Sequence, residues 1–372
     1  MFKEIEINGY RGLKNIRLKE LERINVLIGE NNSGKTSVLE AIQLFGSRNV
    51  IENTISIARK REAQFAATIS AKLMPFDMLL YSFPIDGQDF KEIDIRGYEE
   101  KIGWCRVGLR ADFHKELFMS ESLSSMEIRR YEECCDEDGY IRSVSGQYLY
   151  DCKFRDIKDF YFSEIKTKAE IIDKDGERHR TSLFLAKNLS ILYISPADIY
   201  TNRILSASLY KGMLVEEKRR LLELLQLFDE RIIEIETGVQ YGRPVTLIEM
   251  EDCGLVPVSV FGDGLKKVLT LASAIVKTRD GILLIDEFET GIHKHALIQV
   301  AKWLVMATER YKVQLFMTTH SDDAIDALVR AQEDFNNINA YRLEHYKDRI
   351  FVKKFGGIDL YRLRREQGMD IL

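Results

Sequence analysis

The chemistry of this chain is first indicated by GENNSGKT, residues 29–36, which fits the pattern GxxxxGK[ST] of a phosphate-binding loop. Glycines let the backbone approach a phosphate closely, so that successive amide groups point at it. Lys35 is placed to reach the β- and γ-phosphates of a nucleotide, and the Thr36 hydroxyl to complete the coordination shell of Mg²⁺. The candidate nucleotide-binding residues of this loop are Gly29, Asn31, Asn32, Ser33, Gly34, Lys35, Thr36 and Ser37.

The sequence on either side of this loop supplies the elements that such a loop needs. The apolar residues 24–28 predict a buried strand before it, and the spacing of Val38, Leu39 and Ile42 predicts a helix over residues 37–45. The N-terminus of that helix would add about half a positive charge beside the phosphate. The alternative is a chance match in a turn that contains glycines, and the flanking strand and helix argue against it.

A second candidate is the pair of adjacent carboxylates at Asp286 and Glu287. They follow residues 282–285, a uniformly apolar run that predicts a strand buried on both faces of a parallel sheet. Ligands bind outside the carboxyl ends of such strands, where both acids would lie. Asp286 is suited to hold Mg²⁺ through water, and Glu287 to orient or deprotonate the water that attacks a γ-phosphate. The alternative is a solvated turn after a core strand.

A third candidate is His320, in the segment TTHS that follows the short apolar run 313–317. A histidine just past a strand can polarise a γ-phosphate or position water. It can equally be structural, beside Ser321, which is suited to cap a helix over residues 324–329. The position of His320 behind the acid pair favours the catalytic interpretation.

Together these segments resemble the ABC-type ATPases of the SMC/RecF branch, and most closely the stand-alone prokaryotic AAA ATPases related to the OLD family. The resemblance is carried by residues 7–42, 262–293 and 313–328. It implies an ATP hydrolase, of slow turnover, that uses ATP and Mg²⁺. By position it implies that Lys35 and Thr36 belong to Walker A, Asp286 to Walker B, Glu287 is the catalytic base and His320 the switch histidine.

The resemblance also implies a site that a second copy of the chain completes. ABC proteins present a serine and two glycines at a helix N-terminus to the γ-phosphate held by the partner subunit. Here Gly262, Asp263 and Gly264, the GDG segment, fill the place of this signature, which leaves backbone amides and the helix dipole to bind the phosphate. The segment 289–293 around Gly291 would be the D-loop, which crosses the dimer interface.

Arg11 matches an arginine that lies near the nucleotide in related ATPases. It belongs to the segment NGYRG, between the first two predicted strands. The alternative for Arg11 is a solvated arginine in a hairpin, because arginine is mostly a surface residue.

Composition narrows the classes of partner. The net charge of −5 gives no overall attraction to nucleic acid, so a local basic patch would have to bind it. Residues 59–61 and 362–365 are candidates, with a solvated helix face as the alternative. The five cysteines form no CxxC pair, and His293 and His295 lack further ligands at zinc-site spacing. No apolar run is long enough to span a membrane and no signal-peptide core is present, which predicts a cytoplasmic protein.

The fold expected is α/β, an ABC-type P-loop NTPase with a mixed or parallel core sheet flanked by helices, an antiparallel β lobe and a helical and β insertion. The middle of the chain predicts a helix over residues 57–80, then strands, including an apolar one over residues 191–194, and shows no heptad run long enough for a coiled-coil arm. The expected segments are 1–56 with Walker A, 57–190 as a helix and β-rich lobe, 191–260 leading to the signature, and 261–372 with the remaining ATPase motifs.

The expected function is an ATPase that forms a homodimer, or a larger assembly of dimers, around nucleotide and regulates a separate effector. OLD nucleases continue past the switch histidine into a Toprim domain, and the residues after His320 are too few for a domain of typical size. We therefore expect the nuclease or toxin activity in another protein, as in antiphage defence systems. The alternative is a RecF-like DNA-repair ATPase that clamps nucleic acid.

Overall fold

A computed structural model describes most of the chain. The described residues are 1–65, 75–84, 90–117, 124–153, 155–166, 168–172, 176–180, 189–200, 215–240, 243–332, 334–347, 349–369 and 371. The chain forms two compact units. Unit 1 comprises Met1, Glu20–Leu39 and Ser190–Leu372, and unit 2 comprises Phe2–Lys19 and Glu40–Leu189. The division of the sequence into four segments stays a prediction.

The regular elements of the described residues are numbered in chain order. The strands are β1 (Phe2–Asn8), β2 (Ile16–Lys19), β3 (Ile24–Ile28), β4 (Phe90–Glu99), β5 (Gly103–Leu117), β6 (Tyr140–Asp151), β7 (Arg155–Ser163), β8 (Glu170–Ile172), β9 (Arg178–Arg180), β10 (Ile191–Ile194), β11 (Ile232–Gln240), β12 (Arg243–Met250), β13 (Gly254–Pro257), β14 (Ile282–Ile285), β15 (Gln314–Thr318), β16 (Ile338–Tyr346) and β17 (Arg349–Gly356). The helices are α1 (Lys35–Gln43), α2 (Val50–Phe65), α3 (Pro75–Leu80), α4 (Ser125–Cys134), α5 (Val215–Gln226), α6 (Asp263–Lys277), α7 (Lys294–Arg310), α8 (Asp322–Ala331) and α9 (Gly357–Tyr361).

The core of unit 1 is a six-stranded sheet in the order β10-β14-β15-β3-β16-β17. All neighbouring strands are parallel except the hairpin β16–β17. Every residue of β3, β14 and β15 is buried, as expected for the centre of a parallel sheet covered on both faces. The carboxyl ends of these three strands therefore lie side by side at one edge, and each is followed by one of the candidate segments.

Helices α5 to α8 pack with this sheet in one hydrophobic cluster that also includes residues of β11 and β12. The strands β11, β12 and β13 form a separate antiparallel sheet that leads to α6. Helix α6 is the most buried of these helices, because every residue from Lys267 to Ile275 is inaccessible to solvent. Such a helix is surrounded by other parts of unit 1 along most of its length.

Unit 2 is built on an eight-stranded antiparallel sheet in the order β2-β1-β4-β5-β6-β7-β8-β9. Its buried side includes Val107, Leu109 and Phe160. The hydroxyl of the fully buried Tyr150 donates to the carbonyl of Phe45, at 2.8 Å. An antiparallel lobe was expected, and the structure confirms it.

Several expectations for individual elements are confirmed and one is wrong in part. The strands 24–28, 191–194 and 282–285 are found with the predicted bounds, and Ser321 caps α8 through its hydroxyl. The helix predicted over residues 57–80 instead begins earlier, as α2, and resumes as α3; residues 66–74 lie outside the described residues. Capping by Asn49, whose side chain accepts from the amide of Glu52, is the local reason for the earlier start.

Among the described residues, no helix is long and apolar enough to span a membrane.

The buried Asn25 of β3 generates a prediction about stability. Its side chain accepts from the Glu22 amide at 2.9 Å and donates to the carbonyls of Glu22 and Leu315, at 2.7 and 3.3 Å. Asn25→Ala leaves these buried groups unsatisfied, so the free energy of unfolding should fall by about 1–3 kcal/mol. Urea unfolding at an unchanged m-value measures this. The exposed Asn336 is the control, and Asn336→Ala should change stability by less than about 0.5 kcal/mol.

Candidate functional site

The glycine loop between β3 and α1 adopts a conformation that only its glycines permit. Gly29 has a φ of 133°, and a Cβ added there would lie 2.5 Å from the carbonyl oxygen of Leu343 on β16. Gly34, just before α1, has a φ of 96°. Asn32 is left-handed at 64°, a conformation that asparagine tolerates better than most residues. The loop is therefore shaped by backbone constraints that the sequence pattern encodes.

Lys35 is directed back across the loop. Its ammonium donates to the carbonyls of Gly29 and Glu30, both at 2.7 Å. Partial burial lowers its pKa, and the nearby carboxylates of Asp286 and Glu287 oppose that shift. The hydroxyl of Ser33 is buried and has no hydrogen-bond partner among the described residues. A positive charge and an unsatisfied polar atom in a glycine cradle are suited to a phosphate.

The carboxylate of Asp286 gathers three hydroxyl groups. Thr36, from the start of α1, donates to it at 3.1 Å, although 250 residues separate them. Thr318, at the end of β15, donates at 2.6 Å, and Tyr193, on β10, at 2.9 Å. Residues from α1 and three adjacent strand ends thus meet at one carboxylate. The structure brings the predicted pair Thr36 and Asp286 together.

Glu287 is held in a strained backbone conformation by contacts on both sides. Its φ of 47° lies in the left-handed region, which costs a residue with a Cβ about 1–2 kcal/mol. Its amide donates to the Thr318 hydroxyl at 2.8 Å, and its side chain accepts from the Thr290 hydroxyl at 2.9 Å. Its carbonyl accepts from the ammonium of Lys267 at 3.2 Å. Strain maintained by several contacts is a common feature of functional sites.

Lys267 is a buried cation that the sequence interpretation did not single out. Its side chain is 0% exposed. Burial lowers its pKa to about 8, while the carboxylates of Glu289, Asp286, Glu287 and Asp198 act in the opposite direction. A shift of this size corresponds to about 3 kcal/mol of unfavourable interaction for the charged form. The fold therefore keeps a charge inside α6 at the expense of stability.

His320 contacts Glu289 and is half exposed. Its backbone amide donates to a carboxylate oxygen of Glu289 at 3.1 Å, and its ring Nδ1 lies 3.4 Å from the same atom. The other oxygen of Glu289 is buried with no hydrogen-bond partner among the described residues. Ser321 does cap α8, so the capping interpretation is correct for the serine and leaves the ring of His320 facing Glu289.

The GDG segment packs against the predicted D-loop of the same chain. A Cβ added to Gly264 would lie 3.1 Å from the carbonyl oxygen of Gly291 and 2.6 Å from the ring of Phe228. Asp263 accepts from the Tyr200 hydroxyl at 2.6 Å and lies 3.7 Å from the ammonium of Lys266. Gly262 is the N-cap of α6 and provides no side-chain cap. Backbone amides are thus presented at the helix tip, while Asp263 is held by neighbours.

Arg11 belongs to unit 2 and forms an ion pair there. Its guanidinium lies 2.8 Å from the carboxylate of Glu40, which is also within 3.5 Å of Tyr10 and Arg61. The φ of Arg11 is 51°, and its amide donates to the carbonyl of Ser82. Arg11 is therefore not a freely solvated hairpin residue. A contact with nucleotide stays a prediction.

The donor set around Asp286 fits Mg²⁺, which takes oxygen ligands and is held by few protein groups. The carboxylate of Asp286 and the hydroxyl of Thr36 are such ligands and already lie together. The described residues contain no cluster of three or more His, Cys, Asp or Glu suited to another metal. His293 accepts from the amide of His295 as the cap of α7, which is a structural role.

Sequence reasoning missed three residues of this site. Tyr193 gave no signal, because a tyrosine in an apolar strand is ordinarily a core residue. Thr318 lies in the quoted segment TTHS, and its position at a strand end was the available signal. Lys267 stands in a helix whose neighbours are nearly all apolar or small, and a lysine in such a run was a signal that could have been used.

Comparison with known proteins supports an ATPase fold. Residues 1–98, which include the glycine loop, match the family described as "AAA ATPase domain". Residues 163–326, which include the GDG segment, the acid pair and His320, match the family described as "AAA domain, putative AbiEii toxin, Type IV TA system". Each family covers less than half of the chain, and together they include the glycine loop, the GDG segment, the acid pair and His320.

Two curated proteins and one solved structure are similar over most of the chain. An "ATP/GTP phosphatase" of Helicobacter pylori is 23% identical over 371 residues, covering 90% of both chains. The "Septu protein PtuA" of Bacillus thuringiensis is 23% identical over 336 residues, covering 88% of this chain and 73% of that protein. The SmcHead bound to the C-winged helix domain of ScpA superposes with a TM-score of 0.50 and 11% identity, covering 99% of each chain. The fold is thus the ABC-type P-loop NTPase fold of SMC heads, as expected.

The hydroxyl of Thr318 generates a prediction, because it bridges Asp286 and the amide of Glu287 while its side chain is 1% exposed. Thr318→Val leaves the amide of Glu287 without its acceptor and removes one of the three hydroxyl donors to the carboxylate of Asp286. The free energy of unfolding should fall by about 1–3 kcal/mol in urea titrations. The matched control is the buried Thr308, whose hydroxyl donates to the carbonyl of Val305 in its own helix. A loss in Thr318→Val no larger than in Thr308→Val would contradict the bridging role.

The buried charge of Lys267 generates a prediction about pH. Below pH 8 the lysine is protonated in both the folded and the unfolded chain, so its full destabilising effect is present. Between about pH 8 and 10.5 the folded state releases the proton first, and the wild type gains stability relative to Lys267→Met. Lys267→Met should therefore be more stable at pH 7, by up to about 3 kcal/mol, and the difference should shrink by pH 10. A difference that is independent of pH would contradict this prediction.

Proposed function

We propose that this chain is an ATPase whose nucleotide-dependent dimerisation regulates a separate effector protein, in antiphage defence. The observation that carries the proposal is the convergence of Thr36, Asp286 and Glu287 at the carboxyl edge of the parallel sheet. These residues are distant in sequence but lie together at that edge, where γ-phosphate transfer would use a magnesium ligand and a base side by side. The match to ATPase families over both halves of the chain supports it.

The glycine loop would bind the triphosphate through its amides, and Lys35 would exchange its two carbonyl partners for β- and γ-phosphate oxygens. Ser33 would find in a phosphate oxygen the partner that its hydroxyl lacks within the described residues. Mg²⁺, when bound beside Thr36 and Asp286, would neutralise charge on the phosphates. Arg11 is proposed as a further contact to the nucleotide.

Glu287 would orient the attacking water and accept its proton. Its backbone is fixed at the amide by Thr318 and at the carbonyl by Lys267, and its side chain by Thr290. These contacts restrict the carboxylate to few orientations, and such positioning contributes much of the barrier reduction in phosphoryl transfer. His320 is proposed to stabilise the γ-phosphate, and its contact with Glu289 would set the direction of its ring.

Dimerisation would place the tip of α6 on the nucleotide of a second copy. The tip consists of Gly262, Asp263 and Gly264, where a 15-residue helix begins without a side-chain cap. Amides at such an end, with the helix dipole, bind an anionic phosphate. The repulsion between phosphate and the carboxylate of Asp263 would be reduced by the Tyr200 hydroxyl, which donates to it, and by the ammonium of Lys266 at 3.7 Å.

A separate effector and a role in antiphage defence rest on similarity. The relation to the Septu protein PtuA extends over 88% of this chain, which supports the same kind of system. The effector would be a nuclease or a toxin encoded apart from this chain.

A nucleic-acid clamp is the second candidate function, and one surface favours it. The hairpin β16–β17 exposes the aromatic rings of Tyr346 and Phe351, which contact each other. The ammonium of Lys347 lies over the Tyr346 ring, and Arg349 is paired with Tyr346 across the hairpin. Exposed aromatics among cations are suited to stack and neutralise single strands. Salt-sensitive retention of an oligonucleotide that is lost in Tyr346→Ala/Phe351→Ala would favour the clamp over the regulator.

Glu287→Gln tests the proposed function. The amide keeps the size of the side chain but accepts no proton, so kcat for ATP should fall by about 10²–10⁴-fold while ATP binding persists. Because hydrolysis no longer separates the subunits, dimer should accumulate with ATP in light scattering. Lys35→Ala is the contrasting variant, which should lose binding and dimer together. Undiminished turnover in Glu287→Gln would refute the assignment of the base.

A further inference from the structure

We propose that Lys267 is a positioning residue that couples α6 to the catalytic Glu287 of the same subunit. Helix α6 begins at the GDG segment and is called the signature helix below. The inference rests on the proposed function, since it concerns the regulation of the ATPase site. It goes beyond that function because it makes each active site sensitive to whether its own subunit is engaged with the partner's nucleotide.

The first step is the rigidity of α6. Its residues from Lys267 to Ile275 are all buried, so the helix cannot bend independently of its surroundings. Lys267 stands four residues after Asp263, about 6 Å along the axis from the phosphate-binding tip. A displacement of the tip is therefore carried to Lys267.

The second step is the contact that the end of the Lys267 side chain makes. Its ammonium donates to the carbonyl oxygen of Glu287, at 3.2 Å. The amide of Glu287 donates to the Thr318 hydroxyl, its side chain accepts from the Thr290 hydroxyl, and its carbonyl also accepts from the Thr290 amide at 3.2 Å. Neither Thr318 nor Thr290 belongs to α6. Of the contacts that hold this residue, the one from Lys267 connects it to the signature helix.

The third step is the sensitivity of Glu287 to a small shift. Its left-handed backbone, with a φ of 47°, is maintained against its intrinsic preference by the contacts around it. If the bond from Lys267 lengthens, one of the restraints is lost and the carboxylate can turn away from its productive direction. A 1 Å misplacement of a reacting group is enough to change a rate about 100-fold.

A second contact of the same two segments supports this route. The backbone of Gly264, at the tip of α6, approaches that of Gly291 so closely that a Cβ would lie 3.1 Å from its carbonyl oxygen. Gly291 follows Glu287 by four residues in the same loop. The tip thus touches this loop at one end, and Lys267 holds it at the other.

The burial of Lys267 also indicates a functional role. A methionine of similar length would fill the space without bringing a charge into the interior, and buried polar groups that reduce stability are typical of functional sites. The ammonium faces Asp286, Glu287 and Glu289 in the segment after β14, and Asp198 in the segment after β10. Lys267 therefore supplies a positive charge to this acidic surrounding from α6, as Lys35 does from the glycine loop.

The test compares the full-length wild type with Lys267→Met and Lys267→Arg. Hydrogen exchange is measured on the nucleotide-free protein, for a peptide that spans residues 286–292. Lys267→Met should expose these amides, with exchange faster by about tenfold, while Lys267→Arg should keep most of the protection. Lys277→Met is the matched control, because Lys277 is an exposed lysine in the last turn of the same helix.

The second measurement is steady-state ATP turnover. Lys267→Met should lower kcat by at least about tenfold with KM changed less than about threefold, and Lys267→Arg should recover most of kcat. Because each site would respond to the engagement of its own subunit, we expect the turnover rate of the wild type to depend cooperatively on ATP concentration. This cooperativity should be lost in Lys267→Met. The melting temperature of Lys267→Met should equal or exceed that of the wild type, which a structural role would not allow.

The inference is overturned if exchange of residues 286–292 is unchanged in Lys267→Met, or if exchange rises throughout the chain and the melting temperature falls. It is also overturned if kcat is unaffected in an active wild type. Absence of ATP turnover in the wild type would refute the proposed function instead, and the exchange measurement would still decide whether Lys267 positions Glu287.

Discussion

The structure of the site depends on one interaction, the attraction of three hydroxyl groups to the buried carboxylate of Asp286. Thr36, Thr318 and Tyr193 come from the helix after the glycine loop and from strands on both sides of β14. A carboxylate shielded from water is stable when hydrogen-bond donors surround it, so the burial of Asp286 requires these partners. The same arrangement joins the start of α1, which follows β3, to the end of β14, although β15 lies between these two strands. The parallel sheet aligns the strand ends, and the bond from Thr36 to the carboxylate of Asp286 fixes the distance between the start of α1 and the end of β14.

Two features of the site are unfavourable for folding and are retained together. Glu287 adopts a left-handed backbone, and Lys267 keeps a charge in the interior. Considered alone, Glu287 could be replaced by glycine, and Lys267 by an apolar residue, with little loss of packing. Because the ammonium of one binds the carbonyl of the other, the two are parts of a single arrangement. Their combined strain is offset by the large core of unit 1, in which β3, β14 and β15 are buried entirely.

The sequence was sufficient for the parts of the fold that local rules govern. Predominantly apolar runs identified β3 and β14, which are buried in the interior of the parallel sheet, and β10, which lies at its edge. The glycine pattern identified the loop at Gly29, because a Cβ there would meet the carbonyl of Leu343. The roles of Tyr193 and Lys267 could not be obtained in this way. A tyrosine in an apolar strand is equally consistent with simple packing. A lysine among apolar residues is a signal, but the sequence does not say which group on another element it contacts.

The departure of the GDG segment from the usual serine and two glycines follows from what surrounds it. Gly264 lies against the backbone of Gly291 and the ring of Phe228, so the third position must be a glycine whatever the ligand. The second position carries Asp263, whose carboxylate is directed to Tyr200 and Lys266 rather than left at the tip. A serine hydroxyl offers a phosphate one hydrogen bond, whereas the amides at the start of a 15-residue helix offer several together with its dipole. In the proposed dimer, the absence of the serine would therefore leave the helix amides as the contact to phosphate, while Gly264 packs on Gly291 in the loop that bears Glu287.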